Sequence, residues 1–111
     1  MQLRTQMKAD LVQAMKARET LTVSTLRSVL GAIDNAEAVP VTEPKLPVEP
    51  VIGKSNDVPR KILSADDIRQ ILVRERNERQ AASLEYAGLG QDAAAERLRR
   101  EAAIIASYLK L

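Results

Sequence analysis

Glu75 and Arg79 stand four residues apart in a stretch where Ile68, Ile71, Leu72, Ala82 and Tyr86 recur at helical spacing. Projected on a helix, the pair falls in the middle of that apolar face. A carboxylate and a guanidinium at i,i+4 can meet. On a core-facing stripe they must be paired, because each lone charge would carry a desolvation cost. Arg27 borders the apolar side of an earlier helical stretch, and Glu37 lies one turn beyond Ile33 on that side. Arg27, Glu37, Glu75 and Arg79 are therefore expected to form a polar cluster between two helices. Such a cluster either fixes helix register or presents a ligand surface.

The rest of the chemical repertoire is short. The chain has no cysteine and no histidine. Thiol nucleophiles, imidazole bases, Ser–His triads and most soft metal sites are thereby removed. No catalytic, cofactor-binding or metal-ligating residue is expected. Gly88-Leu89-Gly90-Gln91-Asp92-Ala93 matches the loose pattern G-x-G-x-x-A, but a dinucleotide site needs a strand before it. A helix stop followed by a new helix start explains the same residues. Arg97, Arg99 and Arg100 form a dense cluster, and Arg60 and Lys61 precede the third helical stretch. These five are the candidate RNA-binding residues. Third-stretch Arg69, Arg74, Arg76 and Arg79 alternate with Asp66, Asp67, Glu75, Glu78 and Glu85. Mixed signs of that kind read as a solvated, salt-bridged surface.

The elements that position these residues follow from composition and periodicity. In 111 residues, apolar types make up 45% and aromatics 2%, the latter being Tyr86 and Tyr108 alone. An aliphatic core of this kind suits closely packed helices better than a sheet. Leu3, Met7, Leu11, Ala14 and Met15 mark one amphipathic helix, and Leu26, Val29, Leu30 and Ile33 a second. Ser64 begins a third as its N-cap, with Asp67 reaching back and Leu63 and Ile68 as a hydrophobic staple. Asp92 is expected to cap a fourth, with the stripe Leu98, Ala102, Ile105 and Leu109 and with Ile104 and Tyr108 beside it. The expected fold is all-α: a single domain, a four-helix bundle of two helical hairpins joined by a proline-rich loop. Its helices should run about 3–17, 22–37, 65–86 and 93–109, with Leu98, Ile105, Ile33, Leu30 and Leu26 in the common core. All five prolines, from Pro40 to Pro59, lie in the connection 38–61, which is expected to be irregular and flexible.

The ordered set of segments resembles the GatB/YqeY family. Asp10-Leu11 leading to Ala14-Met15-Lys16-Ala17 is similar to the family's opening "D…AMKA". Thr25-Leu26-Arg27-Ser28-Val29-Leu30, Ala32-Ile33 and Ala36-Glu37 resemble its second helix. Leu63 to Ile71 looks like "LSDEEV..VL". Glu75, Arg79 and Tyr86 match "E…R…Y", and Glu101 to Leu109 resembles "EA.II..YL". The resemblance implies a helical domain like that near the C-terminus of the B subunit of tRNA-dependent amidotransferase. There the domain helps hold tRNA while transamidation chemistry sits elsewhere. Stand-alone members carry the label carbon–nitrogen ligase with glutamine as amido-N donor. Three departures stand out: a longer, proline-rich connection from Val39 to Arg60, an arginine lost between Leu89 and Asp92, and an expected second C-terminal region missing after Leu109.

With 17 cations against 15 anions the chain is mildly basic, at a net charge of +2. That balance permits nucleic-acid contact without demanding it. The expected function is a non-catalytic helical module associated with tRNA or an RNA-containing complex. The alternative is a protein-interaction adaptor or structural bundle with a protein partner. No apolar run is long enough to span a bilayer and no signal-peptide core opens the chain, so no membrane partner and a cytoplasmic address are expected.

Overall fold

The computed structural model describes residues 2–38 and 61–110, and these form four α-helices. They are α1 (Leu3–Lys16), α2 (Thr20–Glu37), α3 (Ala65–Gly88) and α4 (Asp92–Leu109). The all-α expectation holds, and each helix lies close to its expected range. Apart from its two ends, the proline-rich connection falls outside the described residues, as does Arg60. Its ends meet: the Lys61 amide donates to the Glu37 carbonyl at 2.7 Å. No helix among the described residues is long and apolar enough to cross a membrane.

Both hairpins turn through the same backbone device. At the end of α1 the Glu19 amide donates to the Ala14 carbonyl (2.9 Å) and the Arg18 amide to the Met15 carbonyl (3.2 Å). At the end of α3 the Gln91 amide donates to Tyr86 (2.9 Å) and the Gly90 amide to Ala87 (3.0 Å). Both are Schellman turns, which place one residue in the left-handed region. Gly90 takes that role at φ 78°, whereas in the first turn it falls to a non-glycine, Arg18, at φ 59°.

The start of α3 follows the expectation residue by residue. The Ser64 Oγ accepts from the Asp67 amide, and the Asp67 carboxylate accepts from the Ser64 amide, both at 3.0 Å. These bonds hold the Asp67 carboxyl below the usual carboxylate range, the backbone amide of Ser64 being the largest cause. The expected cap at the fourth helix is corrected. Gln91 occupies the N-cap without a side-chain bond, and Asp92 is the first helical residue. There its charge still suits the helix N-terminus.

Met7, Leu26, Val29, Ile33, Ile71, Leu72, Ile105 and Tyr108 form the core, so all four helices contribute. Of the five residues expected at its centre, Leu26, Ile33 and Ile105 are fully buried and Leu30 packs at the edge. Leu98 is only half-buried and stands outside the cluster although it shares a face of α4 with Ala95, Ala102 and Ile105, because the core cluster reaches α4 only from Ile104 onward, nearly two turns further along the helix. Met15 and Tyr86, read as apolar-face residues, are largely exposed. Packing ends just before each: Ala14, the residue before Met15, is the last buried residue of α1, and Ser83, three residues before Tyr86, the last of α3.

Candidate functional site

Arg79 sits where three helices converge. Its Nη1 donates to Glu75 Oε1 at 2.8 Å and to the Glu75 carbonyl at 3.1 Å. Its Nε donates to Glu101 Oε1 of α4 at 3.0 Å, and its Nη2 to Ser28 Oγ of α2 at 3.0 Å. All three side chains of the ion-paired core of this knot are mostly shielded, with 13% exposure at Arg79, 15% at Glu75 and 17% at Glu101. Arg97 Nε stands 3.9 Å from the other oxygen of Glu101 and brings a second positive charge. The planar guanidinium suits this task, because it offers donors in fixed directions to several acceptors at once.

The expected polar cluster is thus half assembled. Glu75 and Arg79 meet as their spacing implied, and their further partners are Glu101 and Ser28. Arg27 and Glu37 do not join them. Glu37 accepts from Arg4 Nη1 at 2.6 Å, and Asp34 accepts from Arg4 Nη2 at 3.0 Å, which ties the start of α1 to the end of α2. The bond to Glu37 is the chief reason the Arg4 guanidinium holds its proton more tightly than usual. Arg27 faces outward, with its Nη2 4.0 Å from Met15 Sδ. The physical reason is rotation along α2. Leu26 and Ile33, seven residues apart, share the buried face of α2, and Arg27, one residue on from Leu26, is turned about 100° away from it to an exposed position.

A second polar link lies at the other end of α4. The Tyr108 hydroxyl donates to Asp10 Oδ2 at 2.5 Å, and Gln6 Nε2 donates to Asp10 Oδ1 at 2.9 Å. Burial, then the bond to Asp10, raises the Tyr108 phenol well above its ordinary value, so it remains a proton donor. Asp10 and Glu101 both sit on apolar stripes: Asp10 between Met7 and Ala14, Glu101 between Leu98 and Ile105. The signal that marks Glu75 and Arg79 on α3, and Arg27 and Glu37 on α2, is therefore present on α1 and α4 as well, at Asp10 and Glu101.

Of the RNA-binding candidates, Arg97, Arg99 and Arg100 are exposed on α4, and each is close to a carboxylate of its own helix. Arg99 pairs with Glu96 at 2.9 Å, Arg100 approaches Glu96 at 3.7 Å, and Arg97 approaches Glu101. They do not form a bare basic stripe. Lys61 is exposed, and with Gln70 and Arg74 it lines a depression at the mouth of α3. Asp67 lines it too, but its carboxylate is engaged by the Ser64 amide. Neither Lys61 nor Arg74 has a carboxylate within ion-pair distance among the described residues.

Chemically, these sites hold charges in place or offer them to a partner. The carboxylates near Arg79 are paired with guanidinium, and that near Tyr108 accepts a hydrogen bond from the phenol. A model of the family described as Yqey-like protein matches residues 4–110, nearly the whole chain. No curated protein matches it at a significant level.

Proposed function

Because the chain belongs to the Yqey-like protein family, we propose that it acts as a non-catalytic helical module that associates with tRNA or a tRNA-bearing complex. The observation that carries this reading is a division of labour among cations. Arg4 and Arg79 are spent on carboxylates inside the bundle, at 2.6 Å and 2.8 Å. Exposed Lys61 and Arg74 have no carboxylate within ion-pair distance among the described residues, Lys61 acting on Asp67 only through space, and both can neutralise phosphates. The pairs at Arg97, Arg99 and Arg100 are exposed and worth little, about 0–1 kcal/mol each, so a phosphate can displace their carboxylates. Arg60, next to Lys61 in the chain, is assigned to the same contact on its sequence position. Reaction chemistry, by this reading, belongs to a partner enzyme of the carbon–nitrogen ligase type.

Binding of a labelled tRNA transcript, followed over a salt series, tests the proposal. Counterion release requires the affinity to fall steeply with salt. Binding that is absent, or indifferent to salt, refutes it. A second reading, a protein-interaction adaptor, is favoured by one feature. Residues 84–93, the distal end of the α3–α4 hairpin, are exposed throughout, and Leu84 and Leu89 each stand 72% exposed there. Under that reading, Leu84→Ser with Leu89→Ser abolishes partner binding while tRNA is never bound.

A further inference from the structure

The α1–α2 turn places an arginine where the backbone favours glycine. Arg18 occupies the left-handed position of its Schellman turn at φ 59°, and the equivalent position of the other hairpin is Gly90. A side chain in that region costs about 1–2 kcal/mol relative to right-handed backbone. Strain retained at one residue points to a use for its side chain.

The surroundings of Arg18 show what that use can be. Arg18 and Arg27 line one open depression together with Met15, Thr20, Val23, Ser24 and Ser28. No carboxylate lines it. The acidic neighbour Glu19 lines a different groove, with Asp10 and Tyr108. Neither guanidinium has a carboxylate within ion-pair distance among the described residues, and the Arg27 guanidinium has one polar contact there, to the Met15 sulfur. The hydroxyls sort by role. Ser24 Oγ donates to the Leu21 carbonyl. Ser28 Oγ accepts from Arg79, which leaves its own proton free to donate outward. Thr20 is exposed, and its hydroxyl has no hydrogen-bond partner among the described residues. Two guanidinium groups and two O–H donors thus line one surface, while the charge of Arg79 behind Ser28 is taken up by Glu75 and Glu101.

We infer that this surface of the α1–α2 turn is a contact site for the phosphodiester backbone of RNA. The inference rests on the tRNA-association reading and names the face that carries it. An open depression leaves a small free anion hydrated, whereas a polyanion gains from each counterion that it releases. The chain has no Phe and no Trp, and neither tyrosine is here, so no stacking platform is offered. The contact reads backbone charge and not base identity.

The test uses the full chain, a labelled tRNA transcript and fluorescence anisotropy over a salt series. Arg18→Gly removes the guanidinium while suiting the backbone, so its melting midpoint should be no lower than that of the unaltered protein. Arg27→Ala removes the second charge from an exposed position. The double variant should weaken binding about ten- to a hundredfold at moderate salt and shallow the slope of log K against log salt by about 1.5. Arg97→Ala with Arg100→Ala should change both quantities less. Unaltered affinity and slope in the folded double variant would overturn this site and leave tRNA association standing on another face. Absence of tRNA binding by the unaltered protein would overturn both.

Discussion

Replacing Arg79 by alanine removes the cation that serves Glu75 and Glu101 together and leaves Ser28 without its donor. The two carboxylates keep 15% and 17% of their side-chain exposure. Water therefore reaches each of them in part. An exposed pair is worth about 0–1 kcal/mol, and stranding one partner of a fully buried pair costs about 3–5 kcal/mol. Partial access, and Arg97 at 3.9 Å from Glu101, place Arg79→Ala at about 2–4 kcal/mol. A chain of this length has about 5–15 kcal/mol of stability in all. The loss should lower the melting midpoint by about 10–20 °C. Urea unfolding followed by far-ultraviolet circular dichroism measures it directly. Replacing Glu75 and Arg79 together with leucine still strands Glu101. The triple replacement of Glu75, Arg79 and Glu101 by leucine should recover more of the lost stability than the double. A cost below about 1 kcal/mol for Arg79→Ala would mean an ordinary surface pair. A double variant as stable as the triple would remove Glu101 from the knot.

Ile105→Ala should destabilise by about 2–5 kcal/mol, because a fully buried side chain leaves a cavity; Leu98→Ala, at a half-buried site, should cost clearly less in the same denaturation assay. Tyr108→Phe should cost about 1.5–3 kcal/mol at neutral pH by removing a hydrogen bond to a carboxylate. The Tyr108 phenol is raised in the folded state, so its contribution is complete below its ordinary value of 10.0 and fades as pH climbs toward the folded value. The stability gap between Tyr108→Phe and the unaltered protein should therefore narrow in strong alkali. Asp67 has the opposite sign: its folded value is depressed below 3.8. Its contribution is complete above that value and is lost as pH falls through the depressed one, so Asp67→Ala should lower the melting midpoint at neutral pH and cease to matter in strong acid.

The amino-acid sequence by itself determined the four helices, the proline-rich division between hairpins and the Ser64–Asp67 cap. Each depends on residues within a turn or two of one another: apolar spacing, a hydroxyl three residues before a carboxylate, prolines that stop helix propagation. The i,i+4 meeting of Glu75 with Arg79 was legible for the same reason. Tertiary packing decided the other partners. Ser28 lies 51 residues from Arg79 in the chain, and Asp10 lies 98 from Tyr108. Helical periodicity says which face a residue occupies, but not which residue of another helix stands opposite. The axial offset and rotation of packed helices settle that, and they turned Arg27 to solvent and sent Glu37 to Arg4. They also ended the buried stripe of α1 at Ala14, leaving Met15 outside. The left-handed backbone at Arg18 was equally hidden. Nothing local to an Arg-Glu-Thr sequence demands that conformation, and closing the hairpin against α2 imposes it.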